Sequence, residues 1–560
     1  MIEILPPGLI LLLGALLVAI TRGNVRSAIV LTAPLVTLWS VWLVPDGVAV
    51  TVTYLDYAIQ LVEGSPVRRL FATLFCIMAF VGGLYALRTA RGYELSAAMA
   101  FAAGAIGVAF AGDLIALFLF WELMAIFSTI IVFSGGTDSA RAAGIRYATI
   151  HLLGGVILKI GIEAITAQTG SFDIRTLSAQ SFGTWLLMIG ILVNAAAPPI
   201  SAWLADAYPE ASPTGTVFLS AFTTKSAVLA LMLLFPGEEV LVIAGLTMVF
   251  YGIIYGLLEN DVRRILAYAL VTQVGFMVTA VGIGTEMALN GAAAHAVAQM
   301  VYQGLLFMCA GVVVYHTGLN RCSDLGGLFR TMPITCLCGI IGALAISGLP
   351  LTAGFTTRTL ISEAASNQGL AVVYYLLTAA SAGVVLHAGL KFPWFVFFHK
   401  DSGLRPGDAP WNMALAMGLF AVLCLFLGVY PEPLYNLLPY PVDAEVYGAD
   451  KVLFYLQLLL FSALAFFLML PYLQTTRTTT LDTDWLYRRL LPVFWNWSAA
   501  TITTVRGKVL KGLKAVAGGV GSWLQEYWAD QGIFARSWPI GLTALWIAVL
   551  LVAYVVVYYL

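Results

Sequence analysis

NAAAPPISAWLADAYPEASPTGTVFLSAFTTK, from Asn194 to Lys225, is the stretch whose reading decides the fold. An apolar segment stops at Pro198-Pro199, resumes briefly, and leads into a second apolar segment. Proline lacks a backbone N–H and its ring clashes with the preceding turn, so a proline pair inside such a segment frees carbonyls that hydrocarbon cannot solvate. The break persists only against protein or a water-filled path, and the stretch therefore reads as a broken membrane helix. Asp206, Glu210 and Lys225 are expensive in lipid, so they mark an ion or proton route.

Composition agrees with a membrane reading. Of 560 residues, 61% are hydrophobic and 10% charged, and the mean hydropathy is +0.92, which excludes an ordinary soluble domain. A formal net charge of -1 gives no reason to expect a nucleic-acid partner. The cysteines (Cys76, Cys309, Cys322, Cys336, Cys338, Cys424) lie in or beside apolar segments without the paired spacing of a zinc site. The chain shows no Gly-rich nucleotide loop, cluster-ligating cysteine set or catalytic triad, and reads as a transporter component with no enzyme activity of its own. MIEILPPGLILLLGALLVAI lacks a basic n-region and a cleavage site and reads as the first span.

Segments near the 20 apolar residues that cross a bilayer number sixteen and imply an all-α, polytopic membrane protein. Twelve Lys or Arg, among them Arg88, Arg91, Arg263 and Arg264, fall in odd-numbered connections, against Arg68, Arg69, Arg175 and Lys451 in even-numbered ones. Positive residues stay inside, so the odd connections are expected in the cytoplasm and the N-terminus outside. PPISAW at 198–203 is echoed by LPLTAGF at 349–355, a pair of interrupted helices that points to inverted repeats with a site at the midplane. The expected organisation is N-terminal helices over 1–94, repeats over 95–234 and 239–398, core helices over 411–471, and a last span over 538–560. Between the last two lies 481–530, where Arg488, Arg489, Arg506, Lys508, Lys511 and Lys514 alternate with Trp485, Phe494, Trp495, Trp497, Trp523 and Trp528. That mixture predicts a lateral amphipathic helix on the cytoplasmic interface; Gly518, Gly519 and Gly521 favour the other reading, a basic loop.

Titratable groups in apolar spans are the candidate path. Glu122 sits mid-span in GDLIALFLFWELMAIFS, a position for a proton switch or for a helix-joining ion pair. Lys159 and Glu163, four apart in HLLGGVILKIGIEAI, share a helix face and are either a static pair or part of the path. Lys225 has no local acid and suits alternating protonation. His295, Gln299 and Gln303 line one stripe at helical spacing, either a hydrated wire or a satisfied core. Arg358 holds its charge and can gate a path but not shuttle a proton. Lys391 ends a span, where it either joins the path or snorkels to the surface.

At these residues the chain resembles the antiporter-like family shared by the D-type subunits of Mrp-type multisubunit cation/proton antiporters and the membrane subunits of respiratory complex I. The resemblance covers about Leu95 to Leu470 and rests on GDLIALFLFWEL, PPISAWLADAYPEA, the TK pair at Lys225, NDVRRILAYALVTQVGF at 260–276, and SGLPLTAGF. The tail from LDTDWLY is similar to the lateral helix and last span of the largest complex I antiporter-like subunit. The resemblance implies two inverted five-helix bundles, a hydrated axis of acids and bases, no cofactor, partner subunits in a bacterial inner membrane, and H⁺ with Na⁺ or K⁺ as cargo. Glu122, Lys225 and His295 match the family's pattern. Family lysines fall on Asn194, Gln303 and Arg358, and a second family histidine on Gln299, so Lys159 is expected to take over as the partner of Glu122. Two other functions follow from the same residues: a non-conducting scaffold, favoured by the lost lysines, and a proton-channel subunit coupled to a redox or inorganic-carbon-uptake module, favoured by the lateral helix.

Overall fold

The computed structural model describes residues 5–54, 57–442, 444–473, 482–528 and 539–559. It forms two units, one up to Asp484 and one from Trp485. The first begins with α1 (Pro7–Ile20), α2 (Gly23–Val41), the strands β1 (Gly47–Tyr54) and β2 (Tyr57–Gly64), and α3 (Pro66–Ala86). Then come α4 (Gly92–Phe110), α5 (Leu114–Phe133) and α6 (Asp138–Thr169). The first broken helix is α7 (Phe182–Asn194) with α8 (Ala202–Ala207), followed by α9 (Gly215–Leu219) and α10 (Phe222–Leu234). A second run comprises α11 (Glu239–Leu258), α12 (Val262–Ile283), α13 (Glu286–Thr317), the broken pair α14 (Pro333–Ser347) and α15 (Ala353–Asn367), and α16 (Ala371–Val384). Wide π-helical turns over Val385–Lys391 and Trp394–Phe398 prolong α16, and α17 (Trp411–Val429), α18 (Glu432–Tyr435) and α19 (Ala449–Leu468) complete the unit.

Among the described residues thirteen helices are long and apolar enough to cross a membrane, counting α9 with α10 and α16 with its extension; α1, α7 and α14 are shorter apolar helices. The most apolar window of α12 is buried throughout, which makes α12 the centre of the first unit. In the second unit the basic, aromatic segment is helical, α20 (Leu491–Trp528), followed by α21 (Ile540–Tyr559). The expected limits at 481, 530, 538 and 560 fall outside the described residues.

The strands were not anticipated. They form an antiparallel hairpin, Gly47 opposite Gly64 and Tyr54 opposite Tyr57, built from the alternating VAVTVTY that period-2 reading assigns to a strand. The hairpin docks on the start of α5, where Gly112 N–H donates to Gln60 O at 2.9 Å and Gln60 N–H to Asp113 Oδ2 at 2.5 Å.

Both breaks have the same backbone device. Ala196 (φ 63°) and Leu351 (φ 72°) are the two non-glycine residues with positive φ among the described residues, and each sits between the halves of a broken helix. A side chain in the left-handed region costs on the order of 1–3 kcal/mol and persists where surrounding structure dictates it. A side chain from the second half-helix also serves the first: Trp203 Nε1–H donates to Val193 O at 3.0 Å, and Arg358 Nη2–H to Ile346 O at 2.7 Å. Carbonyls freed by the breaks are thus met by protein, as an apolar surrounding requires.

Candidate functional site

Glu122 is set on α5 against α6 at Gly155, which has no side chain to exclude it: a Cβ there would lie 1.9 Å from Glu122 Oε1. That oxygen is buried and has no hydrogen-bond partner among the described residues. Lys159 is not its partner, contrary to the sequence expectation. The Lys159 ammonium is bonded to Glu163 and lies 5.7 Å from the Phe118 ring centroid; side-chain exposures of 39% and 58% put the pair on the surface of the unit. The i,i+4 spacing satisfies the pair locally, and Glu122 has no ion-pair partner among the described residues.

Asn194, where a family lysine was expected, is buried and accepts from His151 Nδ1–H at 2.9 Å. His151 packs between Tyr147 and Trp203, with centroids at 4.1 and 4.6 Å, and its Nε2 has no partner among the described residues. The two partners stand 43 positions apart in the chain, so no local pattern joins them. Asp206 is held by Arg146 through two bonds of 2.7 and 2.8 Å, and Glu210 accepts from Ser139 at 2.6 Å.

Lys225 is fully buried and its Nζ donates to Ser220 O at 2.8 Å, a carbonyl freed where α9 gives way to α10. Beyond it, Gln273 of α12 is the hub. Its Oε1 accepts from Arg358 Nη2–H at 2.9 Å and Tyr302 O–H at 3.1 Å, and lies 3.1 Å from His295 Nε2. An oxygen that already accepts from arginine requires a hydrogen on His295 Nε2, and the Thr357 hydroxyl lies 2.9 Å from Nδ1. Gln273 stands inside the NDVRRILAYALVTQVGF stretch, and a lone amide in the middle of an apolar helix was the signal that could have found it. Gln299 has no hydrogen-bond partner for either side-chain atom among the described residues, whereas Gln303 donates to Leu266 O at 2.8 Å and leaves its oxygen unmet.

Arg358 is buried, bonded to Ile346 O and Ser347 O, with its guanidinium 4.9 Å from the Phe276 ring centroid. Lys391 does not snorkel. It is 2% exposed, and its Nζ donates to Leu257 O at 2.6 Å and Glu259 O at 2.5 Å, at the carbonyl end of α11. The wide turns around 385–391 aim the side chain inward, where the negative end of a helix dipole receives it.

Lys225, Arg358 and Lys391 therefore share one arrangement: a buried cation on helix-terminal carbonyls, with no carboxylate in ion-pair range among the described residues. Carbonyls stabilise a cation but cannot take its proton. Buried side-chain atoms with no hydrogen-bond partner among the described residues include Glu122 Oε1, His151 Nε2, Thr223 and Thr224 Oγ1, both ends of Gln299 and His387 Nε2. Buried polar groups find partners, and where protein supplies none, ordered water does.

The chain is thus a multi-pass helical protein with two broken helices and buried polar groups inside the helical unit. Residues 111–384 match the family described as NADH:quinone oxidoreductase/Mrp antiporter, TM, and the chain carries that family's domain. A probable A/B-type subunit of a K⁺/H⁺ antiporter from Rhizobium meliloti (strain 1021) is 28% identical over 359 residues; the match takes in 60% of this chain and 36% of that relative's length. The D-type subunit of the Na⁺/H⁺ antiporter from Alkalihalophilus pseudofirmus (strain ATCC BAA-2126 / JCM 17055 / OF4) is 26% identical over 405 residues, 66% of this chain and 81% of its own. The fold is also that of a chain in the membrane-bound sulfane sulfur reductase, an archaeal respiratory membrane complex, with TM-score 0.71 and 23% identity over 99% of this chain and 100% of that one.

Proposed function

We propose that the chain is a proton-translocating component of a multisubunit Mrp-type antiporter in a bacterial inner membrane, exchanging Na⁺ or K⁺ for protons together with partner subunits. The reading rests on buried polar atoms with no protein partner among the described residues, Glu122 Oε1, His151 Nε2 and Gln299 among them, in the same unit that buries Lys225, Arg358 and Lys391 on carbonyls. Glu122 loads and unloads a proton, Lys225 relays at the centre, and His295, Gln299 and Gln303 hold the water beyond it. Arg358 is a fixed charge that closes the second break and biases the path; Lys391 terminates it. Asn194 serves through His151, which supplies the titratable group its position lacks. Lys159 and Glu163 stay a surface pair.

In this reading the domains run as the sequence divides them: helices over 1–94, repeats over 95–234 and 239–398, core helices over 411–471, the lateral helix over 481–530 and a last span over 538–560. The three shorter apolar helices bring the crossings to sixteen. Paired helix ends support the repeats. Thr137 and Thr285 cap α6 and α13, Gly170 and Gly318 close them in the left-handed conformation, and both helices have 32 residues, a constant offset of about 148 positions. Asp113 and Asp261, at the same offset, cap α5 and α12, and each bridges to a residue on the far side of the next helix, Asp173 and Arg321. Five crossings per repeat, an odd number, invert the second relative to the first. The charge excess of the odd connections supports a cytoplasmic position for them and for the lateral helix, with the N-terminus outside.

A second reading, a proton channel coupled to a redox partner, is favoured by the fold likeness that extends over 99% of the chain, α20 and α21 included. Flavin or iron–sulfur absorbance in the purified complex would favour it over the first. The test of conduction is reconstitution in vesicles with a pH-sensitive dye, comparing wild type with Glu122→Gln and Lys225→Ala. Both are expected to abolish ion-linked proton movement in fully assembled complexes. Unchanged transport would make this chain a scaffold.

A further inference from the structure

A polar cavity of about 390 Å³ opens among the connections on one side of the first unit and is lined by Arg91, Glu94, Glu210, Arg263, Tyr315 and Asn320, among others. Its walls come from the odd-numbered connections alone: the one before α4, those around Ser134 and Pro209, the start of α12 and the end of α13. On the orientation proposed above, this side faces the cytoplasm.

Three features distinguish the cavity from an ordinary crevice between loops. Glu94, in the first turn of α4, is 2% exposed yet pairs with no cation within ion-pair range among the described residues. Its Oε1 accepts from the hydroxyls of Ser212, at 2.6 Å, and Thr214. These two residues belong to the connection that leads straight into α9, whose end frees the Ser220 carbonyl holding Lys225. Arg263, 7% exposed, spends Nη1 on Ala211 O at 2.8 Å, and its buried Nε has no partner among the described residues. Glu94, whose carboxylate is met by two hydroxyls, and Arg263, whose Nε has no partner among the described residues, line one polar space, and an unmet buried donor beside such a space is a place for ordered water.

We infer that this cavity is the cytoplasmic mouth of the proton path, and that Glu94 is the carboxylate that exchanges protons with bulk water there. Rotatable hydroxyls at Ser212 and Thr214 sit between Glu94 and the five-residue helix α9, beyond whose end the Ser220 carbonyl holds Lys225. The charged and titratable groups that face Glu94 are Arg91 of its own connection, Glu210 after the first break, Arg263 of α12 and Tyr315 of α13. Neither Glu94 nor this cavity was among the candidates drawn from the sequence.

The inference rests on the proposed conduction, and its test separates the two. The assembled complex in dye-loaded vesicles is measured across pH for wild type, Glu94→Gln, Glu94→Asp and Glu122→Gln. Glutamine keeps a carbonyl oxygen for Ser212 and Thr214 but cannot ionise. Glu94→Gln is expected to slow proton movement at least tenfold and to flatten its pH profile, with Glu94→Asp recovering much of the rate. As an independent arm, Ser139→Cys on the exposed rim is treated with a membrane-impermeant cationic methanethiosulfonate; the native cysteines are buried and give little background. Modification is expected to slow transport, and a neutral reagent of equal size to slow it less. Wild-type rate and profile in Glu94→Gln, or, where that variant fails to assemble, no effect of the cationic reagent, while Glu122→Gln still blocks, overturns the inference and leaves the conduction reading standing. Transport indifferent to all of these, Glu122→Gln included, overturns both.

Discussion

Gly155→Ala tests the position of Glu122 without touching its chemistry. A Cβ at 155 would fall 1.9 Å from Oε1 and 2.9 Å from Cδ of Glu122. Carbon and oxygen that are not bonded approach to about 3.3 Å, so the carboxylate oxygen must retreat by about 1.4 Å. The obstacle is the far end of a flexible side chain, so the helices need not part. Alanine in place of glycine also favours helix by about 1 kcal/mol, and the variant is expected to assemble and melt as the wild type does. Transfer is different. A displacement of about 1 Å in a reacting group costs on the order of 100-fold in rate, or about 2.7 kcal/mol of barrier. The assay is proton movement in vesicles beside Gly154→Ala, whose Cβ would sit 3.1 Å from Val193 Cγ1 and nearly 4 Å from Asn194 Oδ1, away from the carboxylate. Gly155→Ala is expected to lose 10- to 100-fold and Gly154→Ala little. Wild-type transport in Gly155→Ala would mean that the path does not depend on where the Glu122 oxygen sits. Equal losses in both would assign the effect to packing of α6.

Three other outcomes follow from the same contacts. Arg146→Ala removes the two-pronged partner of Asp206, which is 4% exposed. A buried charge deprived of its partner costs about 3–5 kcal/mol, so the yield of assembled complex should fall, and Arg146→Met combined with Asp206→Leu should recover most of it. Asp482→Ala takes an acceptor from the Tyr251 and Tyr268 hydroxyls, both at 2.5 Å, at about 1.5–3 kcal/mol per bond to a charged group; hydrogen exchange at 482–484 should quicken, and less so in Asp482→Asn. Asp401, in the connection after α16, is held below the usual carboxylate range by the Arg405 side chain and then by the Gly403 N–H. A folded value lower than the unfolded one stabilises the loop above about pH 4, and that contribution disappears as pH falls toward the folded value. Exchange protection of 400–405 should therefore drop on acidification, and Arg405→Gln should weaken the dependence, leaving the part due to the Gly403 N–H and Arg330.

Some of this molecule is legible one residue at a time. A bilayer admits few backbone solutions, so apolar length, the proline pair at 198–199 and the echo at 349–355 were enough to read a polytopic helical chain with two breaks. The caps at Asp113, Thr137, Asp261 and Thr285 are also local, because a short polar side chain and the first amides of a helix lie within three residues of each other. The hairpin was equally local in its alternation, but a reading tuned to apolar length passed over it. Lys159 and Glu163 show local reasoning working at one level and misleading at the next: the pair was legible, and it is the reason Lys159 is unavailable to Glu122.

The site itself was decided by the tertiary structure. Gln273 meets His295, Tyr302 and Arg358 from 22, 29 and 85 positions away, and Lys391 finds the end of α11 from more than 130. Glu94 reaches Ser212 and Thr214 across about 120. What the sequence alone determined is which groups are too costly to leave in lipid, since that cost belongs to the side chain. Which carbonyl, amide or empty polar space receives each of them depends on where helix ends distant in the chain come to rest, and no local pattern encodes that.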